Sequence, residues 1–164
     1  MGDGEGTCNS SALYGNWSVR SFLVSSHIFT SHRIVRFGEC DPAGVVYYPV
    51  FFHWFHELME EWFEQALNMS YAKCVQEQGF PAKETKAEFF RPCAVGEEVE
   101  LRMSLGYLSS RSFRMNIEVW GQEKKASGYV VCVCIGVSGE GFRFSSKEIP
   151  LPLSEKMEKF VYKS

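Results

Sequence analysis

The chain has 164 residues, which is room for one domain of the usual ~100–200 residues and leaves none for a second catalytic domain. Its 45% hydrophobic content supports a real core, so disorder is excluded for the bulk of the chain. Seventeen basic against twenty acidic side chains leave a net charge of -3, and no global positive field favours a nucleic-acid backbone.

Residues 1–26 are biased toward Gly, Ser and Asn and carry neither the charge pattern nor the apolar run of a signal or transit peptide. They are expected to be a flexible N-terminal extension, with 27–164 forming a single domain. Residues 29–37 mix β-branched and aromatic side chains with partial alternation, as a strand does. Turn chemistry follows in Gly38-Glu39-Cys40-Asp41-Pro42-Ala43-Gly44, where Asp-Pro initiates a turn and Gly44 tolerates positive φ.

Pro49 suits a first helical turn, where its missing N–H costs nothing. From there Phe51, Phe55, Leu58, Trp62 and Ala66 fall on one helical stripe, widened by Phe52, Met59 and Phe63. His53, His56, Glu57, Glu60, Glu61 and Glu64 take the opposite face, so one long amphipathic helix is predicted over 48–67. The His and Glu spacing could bind a metal only with matching ligands on a second helix. None is visible, so the polar face reads as turned to solvent or to a partner subunit. A shorter helical piece is predicted over 71–77, ending at Gly79.

From Thr85 the period changes to 2. Val99, Leu101, Met103 and Leu105 alternate with polar neighbours, and so do Phe113, Met115, Ile117 and Val119, which predicts half-buried antiparallel strands. Turns are expected at Ser109-Ser110, over 121–124 and over 138–141. The run 129–137 is apolar on both faces, marking a more central strand or one at a subunit interface. Its nine residues fall well short of the roughly 20 that a membrane-spanning helix needs, so no membrane partner is expected. Pro150 and Pro152 are expected to break the chain before a short helix over 154–162.

The six cysteines (Cys8, Cys40, Cys74, Cys93, Cys132, Cys134) include no C-x-x-C pair and no histidine at zinc-finger spacing. They read as reduced thiols in a cytoplasm, with Cys132 and Cys134 on one face of one strand, and no metal is expected. A helix this aromatic and a sheet with one apolar face have each other to cover, so the expected fold class is α+β with the antiparallel sheet wrapped around one long central helix.

The segment Phe37-Gly38-Glu39-Cys40-Asp41-Pro42-Ala43-Gly44-Val45-Val46-Tyr47-Tyr48-Pro49 closely resembles the signature of 4-hydroxybenzoyl-CoA thioesterases, within the hot-dog fold acyl-CoA thioesterase superfamily. The resemblance implies hydrolysis of an acyl-CoA to carboxylate and CoA with no cofactor, CoA being part of the substrate. It makes Asp41 the catalytic carboxylate, as nucleophile or as general base, either of which needs an ionised carboxylate beside the acyl carbon. It also implies that the backbone N–H of Tyr48, at the positive end of a helix, polarises the thioester carbonyl. Pro42, Gly44, Val50 and Phe51 become candidate substrate contacts, and Arg111 a candidate for the nucleotide phosphates, with Arg91 and Arg114 nearby in sequence. Where the 4-hydroxybenzoyl enzymes tend to show Asn-Tyr, this chain has Val50-Phe51, so an aryl or medium aliphatic acyl group is equally consistent. Hot-dog proteins place their sites between subunits, which implies a homodimer or a homotetramer built as a dimer of dimers. The competing reading is a non-catalytic module that binds acyl-CoA or a small acid, which would have no use for Asp41 beside a thioester carbon.

Overall fold

The computed structural model describes residues 27–137 and 144–162. The extension expected over 1–26 and the turn expected over 138–141 lie outside the described residues. Along the chain run β1 (Phe29–Ile34), α1 (Tyr48–Gln65), α2 (Tyr71–Glu77), β2 (Gln78–Gly79), β3 (Ala82–Phe89), β4 (Glu98–Leu108), β5 (Ser112–Trp120), β6 (Lys124–Val133), β7 (Ile135–Val137), β8 (Phe144–Ser146) and α3 (Leu151–Met157). Single 3₁₀ turns cover Phe37–Glu39 and Glu158–Phe160.

Five strands form an antiparallel sheet in the order β1-β4-β5-β6-β3, and β2-β7-β8 form a second, three-stranded sheet. Register follows the apolar alternation: Leu101 lies opposite Val119, Met103 opposite Ile117 and Leu105 opposite Met115. All six are buried, because the period-2 pattern puts every second side chain on the face turned to the core. α1 supplies the other half of that core. Its Phe51, Trp54, Phe55, Leu58, Met59, Trp62 and Phe63 are buried, and Trp62 meets Phe113 of β5 at a 6.2 Å ring separation. The helix stops after Gln65, Asn68 takes φ 50°, and Lys156 Nζ donates to the Leu67 carbonyl at 2.6 Å, placing a cation at the helix C-terminus.

Three sequence expectations need correcting. The apolar run 129–137 is not one strand: β6 ends at Val133, and β7 belongs to the other sheet. Cys134 sits in the break, its N–H bonded to the Arg111 carbonyl at 2.8 Å, so Cys132 and Cys134 do not share one strand face. β3 begins at Ala82, ahead of the change of period at Thr85. α3 begins at Leu151 and holds Pro152 within its first turn, where proline is tolerated.

β6 passes so close to α1 and β3 that one position has no room for a side chain. A Cβ at Gly128 would lie 2.4 Å from the Lys86 carbonyl oxygen and 2.8 Å from Phe55 Cε2. Gly128→Ala is expected to destabilise the fold by about 1–3 kcal/mol through overpacking. An unchanged melting temperature in that variant would contradict the contact.

Among the described residues no helix is long and apolar enough to cross a membrane. The five described cysteines are free thiols.

Candidate active site

Between β1 and α1 the chain folds back on itself. Cys40 pairs with Val46 in an antiparallel bridge, Tyr47 N–H donates to the Glu39 carbonyl at 3.0 Å, and Asp41 N–H donates to the Val45 carbonyl at 2.9 Å. At the tip, Gly44 N–H closes a four-residue turn onto the Asp41 carbonyl at 2.9 Å. The sequence dictates this locally: Asp at the first position, Pro at the second and Gly at the fourth are the residues such a turn favours, and Gly44 adopts φ 76°. The loop is anchored to the β3–β4 connection, since Val46 N–H donates to the Cys93 carbonyl at 2.9 Å and Val45 bridges Ala94.

Asp41 is half-buried, and its Oδ1 accepts the Ala43 N–H at 2.8 Å. That bond orients the carboxylate and leaves Oδ2 without a hydrogen bond among the described residues. The same loop delivers the N-terminus of α1. Tyr47 is the N-cap residue, Pro49 has no N–H to offer, and Val50 N–H is taken by the Tyr47 carbonyl at 2.9 Å. The Tyr48 N–H is left as an orphan donor of the first turn, at the positive end of an 18-residue helix.

The predicted residues separate spatially. Tyr48 and Phe51 line a cleft of about 270 Å³ with Val46, Phe89, Phe90, Arg91, Pro92 and Cys93. Asp41, Pro42 and Gly44 form the adjoining turn and are not part of that lining. Val50 packs half-buried against the core. Arg111 stands apart on the β4–β5 connection, exposed, with Nη2 3.7 Å from Glu148 Oε1. His53 and His56 pair along the helix with Glu57 (3.2 Å) and Glu60 (3.0 Å).

Sequence reasoning missed Phe89 and Phe90, which stand about half-exposed at the end of β3, Phe89 at a 4.9 Å ring separation from Phe51. A signal was present: adjacent residues of a strand point to opposite faces, so a Phe-Phe pair sends one ring away from any single core. Cys93, the thiol in the cleft, offers no competing nucleophile. Burial first, and then the Glu97 carboxylate, push it up to about 11, so it stays protonated at neutral pH.

Tying this region together is a carboxylate next but one to Asp41. Glu39 Oε1 accepts from Arg33 Nη2 at 2.9 Å and from Trp54 Nε1 at 2.8 Å, while Oε2 accepts the Arg36 N–H at 2.7 Å. Arg33 also reaches Glu57 on α1 at 2.7 Å and lies 4.5 Å over the Trp54 ring. Burial opposes ionisation of Glu39, yet the Arg36 N–H, the Trp54 indole and the Arg33 guanidinium together hold its carboxyl below the usual carboxylate range. Its contribution to stability is present above the ordinary carboxylate value and disappears as the pH falls through the lowered one.

Comparison with known proteins identifies the family. The thioesterase-like superfamily matches residues 35–159. The 1,4-dihydroxy-2-naphthoyl-CoA hydrolase of Gloeothece citriformis (strain PCC 7424) is 32% identical over 109 residues, covering 63% of this chain and 76% of its own. A gentisyl-coenzyme A thioesterase structure superposes with a TM-score of 0.69 at 26% identity, over 77% of this chain and 99% of that one. A 4-hydroxybenzoyl-CoA thioesterase structure reaches a TM-score of 0.68 at only 19% identity, over 80% of this chain and 99% of that one, and so shares the fold alone. The resemblance read from the sequence is therefore shown at the level of the superfamily, the 4-hydroxybenzoyl enzyme being a distant structural neighbour. With the match running from the end of β1 through α3, the chain belongs to the thioesterase-like superfamily.

Proposed function

We propose that this thioester hydrolase acts on aryl-CoA substrates, with Asp41 attacking the thioester carbonyl or activating water, and with the Tyr48 N–H donating to the carbonyl oxygen. The observation that carries the reading is the hydrogen-bonded loop that joins the Asp41 carboxylate to the open N-terminus of α1. A carboxylate with one unengaged oxygen supplies the nucleophile or base, and a helix N-terminus supplies a preorganised donor where negative charge develops. No metal or redox group is needed for that chemistry, and CoA enters as part of the substrate.

An aryl acyl group is favoured by the relatives named above, whose own substrates are naphthoyl and gentisyl thioesters, and by the aromatic lining of Phe51, Phe89 and Phe90. Val50 and Phe51 offer no polar side chain at this point, so a phenol would have to find its partners elsewhere. Pro42 and Gly44 would face substrate from the turn, and Arg111 or Arg91 would meet the nucleotide phosphates. In this reading α1 is the central helix of a hot-dog fold, wrapped by the five-stranded sheet. The assembly is a homodimer or a homotetramer, which agrees with β3 forming an exposed edge of that sheet. The free state of the five described cysteines supports a cytoplasmic setting.

A panel of 1,4-dihydroxy-2-naphthoyl-, gentisyl-, 4-hydroxybenzoyl- and medium-chain aliphatic-CoA, followed by release of free thiol, tests this reading. Turnover of at least one aryl thioester, at least about tenfold above the aliphatic ones in kcat/KM, is expected. Binding without turnover across the whole panel would instead identify a non-catalytic acyl-CoA module.

A further inference from the structure

We propose that Glu39 is a positioning residue for the Asp41 and Tyr48 pair, holding both arms of the catalytic loop in register against β1 and α1. The inference rests on the catalytic reading of Asp41 given above. Glu39 engages both arms at once. Its backbone carbonyl accepts the Tyr47 N–H at the cap of α1, one residue before the orphan donor of Tyr48. Its chain neighbour Cys40 pairs with Val46, and Asp41 comes next. Its side chain, 15% exposed, is fixed by three donors that come from separate places: Arg33 on β1, Trp54 on α1 and the backbone of Arg36. The Asp41 turn is closed by its own hydrogen bonds, but these set only its internal shape. The second arm and the turn also lean on the β3–β4 connection through Val46, Val45 and Gly44, while Glu39 is the residue whose side chain ties the first arm to β1 and α1.

The chemistry of the cluster makes charge necessary as well as shape. Every group aimed at Glu39 is a donor, so the residue must present acceptors on both oxygens, as only a carboxylate does. In Glu39→Gln, either orientation of the amide points an N–H at another N–H, and the cluster must open. A displacement of about 1 Å in a catalytic group can cost on the order of 100-fold in rate without loss of substrate binding.

The test compares wild type, Glu39→Gln, Asp41→Asn and the double variant on whichever aryl-CoA the wild type turns over. Residual rates are read at high enzyme concentration, and folding is checked by thermal melting. Glu39→Gln is expected to lower kcat about 10- to 100-fold with KM within threefold. In the Asp41→Asn background it is expected to add no more than about twofold, because the carboxylate it would position is gone. A kcat within threefold of wild type in folded Glu39→Gln would overturn the proposal. So would the full loss repeating on top of Asp41→Asn.

Should Glu39→Gln fail to fold, Trp54→Phe carries the test, since it keeps an aromatic ring and removes only the indole donor. A fall in kcat of threefold or more at unchanged KM supports the role, and an unchanged kcat refutes it. Failure of the catalytic reading itself has a different signature: Asp41→Asn would then match wild type, whatever Glu39→Gln does.

Discussion

Asp41→Asn is expected to lower hydrolysis by roughly 10³-fold or more while leaving acyl-CoA affinity within about threefold of wild type. The substitution is nearly isosteric, and the Asn Oδ1 can still accept the Ala43 N–H that orients Asp41. The turn therefore survives, as does its closure by the Gly44 N–H. What disappears is the unengaged carboxylate oxygen. A neutral amide neither forms an acyl-enzyme anhydride nor takes a proton from water, so both routes open to Asp41 fail together. Thiol release and equilibrium binding of the same substrate would separate the two effects. A variant that hydrolyses at the wild-type rate removes Asp41 from the mechanism, whereas one that loses binding in parallel makes the carboxylate a substrate anchor instead.

The largest effect on stability is expected at Trp62. It is fully buried on α1 and packs its ring against Phe63, Phe113 and Phe160 at separations of 5.5, 6.2 and 5.5 Å, so it joins helix, sheet and the C-terminal 3₁₀ turn. Trp62→Ala should cost about 3–5 kcal/mol, from lost transfer energy and the cavity left behind. Against a total of about 5–15 kcal/mol for a typical domain, that is enough to populate the unfolded state visibly. Trp62→Phe should cost far less, under about 1.5 kcal/mol, for a further reason. The Trp62 Nε1 is buried without a hydrogen-bond partner among the described residues, so its removal recovers part of a desolvation penalty and offsets lost packing. Urea denaturation would check both, with the midpoint moving and the slope unchanged. Equal losses for Ala and Phe would show that the ring's packing is not what matters.

How much was legible in the sequence varies by element for physical reasons. The faces of β4 and β5 were readable residue by residue, because one side of an antiparallel sheet is dry and the other wet, and a period of 2 records that directly. The start of α1 at Tyr48 followed from Pro49 and from the change of period. The Asp41 turn followed from Asp, Pro and Gly at their favoured positions. The partner of the Trp54 indole was not legible, because Glu39 lies 15 residues earlier on another element. The end of β6 was missed because Val133 and Ile135 are alike in type, and what separates them is the Arg111 carbonyl taking the Cys134 N–H from another part of the chain.

The same division runs through the site. By itself the sequence determined the local pieces of the candidate site: the Asp41 turn, the helix terminus seven residues on and the apolar side chains beyond it. These are local properties, set by backbone preferences and by spacing within a single loop and helix. Only the tertiary structure decided which distant residues join them. It brought Phe89, Phe90 and Arg91 to the cleft beside Tyr48, left Arg111 on another connection, and gathered Arg33 and Trp54 onto Glu39. Such contacts arise from strand pairing and helix packing across long stretches of chain, where the partner is chosen by the whole fold and not by neighbours in sequence. The composition and charge that argued for a packed core and against a nucleic-acid field are properties of the residues summed, while the packing of one helix against one sheet decided which of them meet.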